Sequence, residues 1–107
     1  MVAPMVAQGE IWLLEPPNTK RRPVLIVSRN EAIPVLNNVV VAPITSTVRP
    51  IPTNISVGPS EGIDHDSVAN FDSLVAVPKA LLTERLGVLD AVRRDEICVA
   101  LRSLADC

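Results

Sequence analysis

A small, mainly β domain with one C-terminal α-helix, folded as a small barrel or curled sheet, is the fold class this chain predicts. Three observations carry it. Six apolar stretches of strand length, separated by proline, glycine and asparagine, occupy residues 9–89. The one stretch with helical spacing comes last, from about Ala91 to Leu104. A length of 107 residues with 48% hydrophobic content suits a single core rather than several. Many short strands followed by one helix pack as a small barrel or folded sheet with the helix laid on it.

Residues 1–8 read as a loose N-terminal arm, and 9–107 as a single domain. Gly9 to Glu15 form a first strand, stopped by Pro16-Pro17. A short loop, 16–21, leads into a second strand from about Pro23 to Ser28. The four consecutive apolar residues Val24-Leu25-Ile26-Val27 predict burial on both faces. After the turn signal Asn37-Asn38, Val39 to Thr45 make a third strand, in which Pro43 marks a bulge or an unpaired edge. Arg49-Pro50-Ile51-Pro52 is an extended connector, and Thr53 to Val57 alternate like a half-exposed strand. A loop at Gly58–Gly62 follows. Ser67 to Val77 read as one strand broken near Asn70–Ser73. Pro78 opens a short helical turn, Lys79–Leu82. Thr83 to Leu89 form a last strand weakened by Gly87. Asp90 is the expected N-cap of the helix, on which Ile97, Leu101 and Leu104 share one stripe.

Composition narrows the function classes. The mean hydropathy of +0.31 is high for so short a chain, yet no apolar run approaches the ~20 residues of a membrane helix. The surplus apolar surface points to an oligomer interface, a homodimer first. Cys98 and Cys107, with no histidine near them, make no zinc site and read as free thiols in a reducing cytoplasm. The net charge of −2 hides an asymmetry. Residues 16–60 carry Lys20, Arg21, Arg22, Arg29 and Arg49 against Glu31 alone, a local +4, and the remainder carries −6. A basic half on an acidic protein fits local contact with a polyanion, or a solvated face.

The densest chemistry lies at Lys20-Arg21-Arg22-Pro23, where three cations precede an apolar strand. An arginine at the start of a rigid strand meets phosphate oxygens with a planar fork of donors. Ala42-Pro43-Ile44-Thr45-Ser46-Thr47 supplies hydroxyls about one strand later. RNA cleaves when its 2′-hydroxyl attacks the adjacent phosphorus, and that step needs charge neutralisation and proton transfer. The chain has one histidine, His65, and no clustered carboxylates for two metals, so no cofactor is expected. Arg22 remains for charge and hydrogen bonding, with Thr45 or Ser46 as donor and positioner. Lys20, Arg21 and Arg29 serve as phosphate clamps. Trp12 alternates with Ile11 and Leu13 and is a packing residue before it is a base-stacking one. His65, between two aspartates, is a surface residue.

Taken in order, Gly9-Glu10-Ile11-Trp12-Leu13, Arg22-Pro23-Val24-Leu25-Ile26-Val27, Ala42-Pro43-Ile44-Thr45-Ser46, Asp66-Ser67-Val68 with Asp72, and Arg85-Leu86 resemble the MazF/PemK/Kid family of toxin endoribonucleases. The likeness covers nearly everything after residue 8. It implies an SH3-like (CcdB-like) barrel homodimer that cuts single-stranded RNA without metal, leaving a 2′,3′-cyclic phosphate and a 5′-hydroxyl. It also implies a cognate antitoxin that blocks the RNA site. The family's catalytic arginine falls on Arg22 and its catalytic threonine on Thr45. The acidic residue that some members use near the cut falls on Asp72, which joins Lys20, Arg21, Arg29, Ser46 and Thr47 as RNA-binding candidates. Two alternatives stay open: a non-enzymatic CcdB-like toxin that binds a protein target such as gyrase, and an inactive RNA-binding relative.

Overall fold

The computed structural model describes residues 5–105. Seven strands and one helix follow in order: β1 Glu10–Leu14, β2 Arg22–Ile26, β3 Asn38–Thr45, β4 Asn54–Val57, β5 Ser67–Asn70, β6 Val75–Pro78, β7 Leu82–Val88 and α1 Asp95–Leu104. They form one curled antiparallel sheet in the order β4-β5-β3-β2-β1-β7, with β6 paired to β3. The mainly β architecture with a C-terminal helix is the one the sequence predicts.

Alternation along the central strands feeds two cores. Ile11, Leu25, Ala42 and Ile44 join one cluster with Phe71, Leu89 and Ile97. Trp12, Val24, Ile26, Val39 and Val41 join the other with Ile33, Val77 and Leu82. The central sheet is therefore covered on both faces, which is why Val24 to Val27 are buried without a gap. Trp12 packs in the second cluster, opposite Ile11, and its indole N–H donates to Glu10 Oε1 at 3.0 Å. Within the expected N-terminal arm, Val6 is buried in that same cluster, and Gln8 donates to the Val27 carbonyl at 2.9 Å. Residues 1–4 lie outside the described residues.

The break foreseen in the fifth strand is the main irregularity. Ile44 pairs with Ala69 and Val41 with Val75, so three steps along β3 face six along its partner. The excess forms a 3-10 turn, Phe71–Ser73, pinned by fully buried Phe71. Pro43 lies where the β6 ladder has ended and the β5 ladder has yet to begin, so its missing N–H costs no sheet bond there. It pairs with Val24 of β2 on the other side.

Three expectations need correction. The loop expected at Gly58–Gly62 contains a 3-10 turn, Pro59–Glu61, that packs against β7. There Gly87 does more than weaken a strand: a Cβ on it would lie 2.1 Å from the Glu61 carbonyl oxygen, so its bareness permits the close approach. The helix begins later than expected. After Asp90 the chain makes a 3-10 turn, Ala91–Arg93, the Asp90 side chain makes no capping bond, and α1 starts at Asp95. Arg93 ties that turn to β4 through the Ser56 carbonyl at 2.7 Å, to the Pro59–Glu61 turn through Glu61 and to α1 through Glu96. The apolar stripe also leaves the core midway: Ile97 and Ala100 are buried, whereas Leu101 and Leu104 are 37% and 41% exposed. Only the first half of α1 is buried against the sheet. Cys98 is a free, exposed thiol on this helix, and Cys107 lies outside the described residues.

Candidate active site

The cleft lies where β2 begins and β3 ends. Val24 pairs with Pro43, Leu25 with Ala42 and Ile26 with Val41. Continuing that register by two residues brings Arg22 opposite Thr45, on the same side of the strand pair. Pro23 holds the residue before it extended, which fixes the direction in which Arg22 leaves the sheet. A cavity of about 350 Å³ opens there, lined by Arg22, Thr45, Thr47, Arg49, Asn70 and Asp72 among others. A second depression shares Arg22 and Thr45 and continues past Lys20, Arg21 and Ser46.

The hydroxyls are set by local bonds. Thr45 Oγ1 accepts from the Thr47 backbone N–H at 3.2 Å, a hydroxyl turn that leaves the Thr45 proton to donate elsewhere. Asp72 reaches the cleft on the turn inserted between β5 and β6. Its N–H donates to Asn70 Oδ1 at 3.0 Å, and its Oδ2 accepts from Thr53 Oγ1 at 2.6 Å. Phe71 N donates to the Thr53 carbonyl at 2.9 Å, so backbone and side chain of Thr53 both tie this turn to the chain entering β4.

Charge in the cleft is mostly uncompensated. Among the described residues the ion pairs are Arg21–Glu15, Arg85–Glu10, Arg93–Glu61 and Arg93–Glu96, so Lys20, Arg22 and Arg49 have no carboxylate partner within 4.0 Å. The Arg21 pair is exposed and long at 3.9 Å, a geometry that contributes little. Asp72 is the one carboxylate lining either depression. The arrangement offers a phosphate several donors and few repelling groups.

The cleft gathers Arg22, Thr45, Lys20, Arg21, Ser46, Thr47 and Asp72. Arg29 is not among them. It follows the far end of β2, about 20 Å from Arg22 at strand rise, where its carbonyl accepts from Ala32 and Ile33. The structure thus does not bring Arg29 into the cleft with the other phosphate-clamp candidates. Reasoning from sequence missed Arg49, Thr53, Asn54 and Ser73. For Arg49 a signal existed: Arg49-Pro50 repeats the Arg22-Pro23 pairing and follows the hydroxyl run after one residue, Val48. His65 is exposed beside Leu13 and Leu86, in a different depression. Among the described residues no three His, Cys, Asp or Glu side chains converge.

A family model described as the PemK-like, MazF-like toxin of type II toxin–antitoxin systems matches residues 7–105. The chain belongs to this toxin family. Among the relatives of this PemK/MazF-like toxin is a protein named probable endoribonuclease MazF5 from Mycobacterium tuberculosis. It is 41% identical over 102 residues, spanning 94% of each chain. Endoribonuclease MazF3 of the same organism is 37% identical and covers 81% of this chain and 84% of its own. Of solved structures, the M. tuberculosis toxin MazF-mt6 superposes with a TM-score of 0.82 at 34% identity, covering 91% of this chain and 96% of that one. A mycobacterial endoribonuclease solved with its cognate antitoxin gives a TM-score of 0.81 at 28% identity, with 94% of each chain covered.

Proposed function

We propose that this PemK/MazF-like toxin is an endoribonuclease that cuts single-stranded RNA without metal and works as a homodimer in the cytoplasm. Its partner is a cognate antitoxin that occupies the cleft. The observation that carries the reading is the register-set opposition of Arg22 and Thr45 in a cation-lined cleft. The 2′-oxygen attacks phosphorus in line, a P–O2′ bond forms, and the P–O5′ bond breaks. The 2′ proton leaves with the attack and a proton joins the departing 5′-oxygen. The products are a 2′,3′-cyclic phosphate and a 5′-hydroxyl. Negative charge grows on the non-bridging oxygens, where the Arg22 guanidinium and the Thr45 hydroxyl donate. Lys20, Arg21, Ser46 and Thr47 hold the flanking backbone. Relatives named probable endoribonuclease MazF5 and endoribonuclease MazF3, and a mycobacterial endoribonuclease solved with its cognate antitoxin, support this reading.

The test is cleavage of a long mixed RNA, with 5′-hydroxyl ends mapped. Cutting should persist in EDTA and fall by about 10²–10³ in Arg22→Ala and in Thr45→Ala, each still folded. Loss of cutting with chelator, or full activity in Arg22→Ala, would overturn the proposal.

A further inference from the structure

Arg22 and Thr45 divide the cleft into two unlike halves. One side presents Lys20, Arg21 and Ser46, with no amide side chain among them. The other presents Arg49, Asn54, Asn70, Asp72 and Ser73. Contacts to phosphate position a nucleic acid without reading it, whereas donors and acceptors in fixed places read base edges.

Only the second half has such groups, and its turn holds them still. Asn70 is locked at both ends of its amide: Oδ1 accepts from Asp72 N, and Nδ2 donates to Ser73 Oγ at 3.2 Å. Ser73 Oγ thereby accepts from within the turn and keeps its proton to donate outward. Asp72 spends Oδ2 on Thr53 and leaves Oδ1 without a protein partner among the described residues. A fixed acceptor and a fixed donor thus sit on adjacent residues of one tight turn. Every Watson–Crick edge offers a donor beside an acceptor, and their order separates adenine and cytosine from guanine, while uracil presents both orders. Arg49 lines the same cavity on a braced backbone, for its carbonyl accepts from Ile51 N at 2.9 Å and Asn54 Nδ2 at 3.2 Å.

We propose that the RNA sequence is read on the Arg49 side of the cut. Asp72 and Ser73 pair with the edge of one base, and Arg49 holds the phosphate of that nucleotide. Lys20 and Arg21 grip backbone alone. The inference rests on the reading of the cleft as an RNA-cutting site, and the experiment separates the two.

A randomised RNA pool is cut by the wild type, Ser73→Ala, Arg49→Gln and Lys20→Ala, and the 5′-hydroxyl ends are sequenced. The wild type should prefer particular bases beside the cut, and Ser73→Ala should relax one position about tenfold. Arg49→Gln should lower kcat/KM about tenfold for all sequences, through KM, with preference intact. Lys20→Ala should weaken all sequences alike. A preference that survives Ser73→Ala, one that Lys20→Ala relaxes equally, or cutting with no preference overturns the inference. A wild type that cuts no RNA instead removes the reading beneath it. Thermal melts check that each variant is folded, and Ser73→Cys, with its weaker donor, should fall between wild type and Ser73→Ala.

Discussion

Arg22 and Thr53 test the proposed site in different ways. Arg22 is exposed, so its substitution tests function with little effect on the fold. Arg22→Lys keeps a positive charge but loses the planar fork. Its kcat should fall at least tenfold while Tm stays near the wild-type value; near-full activity would show that charge alone suffices. Thr53 is the opposite case, a buried hydroxyl spent on one contact. Thr53→Val keeps the shape, removes the bond to Asp72 and should cost about 1 kcal/mol in denaturant unfolding. Its activity should drop as well, Thr53→Ser should recover both, and in an Asp72→Ala background the change should have little further effect. Arg22 and Thr45 were legible because each stands in a local block with its own strand grammar. Thr53 was not, since its partner lies nineteen positions away across a turn whose path no local pattern discloses. Arg29 stands apart from the cleft for a related reason: nearness in sequence along an extended strand is distance in space.

At the scale of elements, the strands were readable from alternation and punctuation, and so was the interruption at Asn70–Ser73. What the pattern did not disclose is that this interruption lays a turn beside the end of β3 and builds one wall of the cleft. Gly62 and Gly87 present a similar case, since close backbone contact leaves no hydrophobic period. A Cβ at Gly62 would stand 2.1 Å from the Leu86 carbonyl oxygen, and one at Gly87 equally close to that of Glu61. Gly62→Ala and Gly87→Ala should each destabilise the fold by about 3 kcal/mol or more, seen as a lowered denaturant midpoint. Gly58→Ala meets only the Asp66 carboxylate at 3.3 Å and should be much milder. The helix anchor adds a pH dependence. The hydrogen bond from Arg93, at 2.7 Å, holds the Glu96 carboxyl below the usual carboxylate range. The unfolded chain takes up that proton at the ordinary value, so this contribution is complete above the ordinary range. It is lost as pH falls through the depressed folded value. Glu96→Gln should flatten the acid limb of the stability profile in that window, and an unchanged limb would assign it to other carboxylates.

At the scale of the whole molecule, composition predicted more apolar surface than one small core absorbs, and the structure leaves Val92, Val99, Leu101 and Leu104 exposed in and beside the helix. Sedimentation equilibrium should accordingly give about twice the chain mass of 11.5 kDa at micromolar concentration, and a monomer there would contradict the homodimer. The charge asymmetry makes a sharper prediction. Of the acidic remainder only Asp72 lines the cleft, so binding of RNA is governed by local cations and not by the total of −2. Four cations line the two depressions of one protomer: Lys20, Arg21, Arg22 and Arg49. If each neutralises one phosphate, log K should fall against log salt with a slope of about −2.8 per cleft, about 50-fold in affinity for a fourfold rise in salt. An RNA made uncuttable by a 2′-O-methyl group at the cut allows binding to be measured alone. Arg49→Gln should make the slope shallower by about 0.7, the contribution of one cation to a single-stranded site. Arg29→Gln should leave it unchanged, because that guanidinium belongs to the far end of β2. A slope that responds to Arg29 and ignores Arg49 would move the RNA path off this cleft altogether.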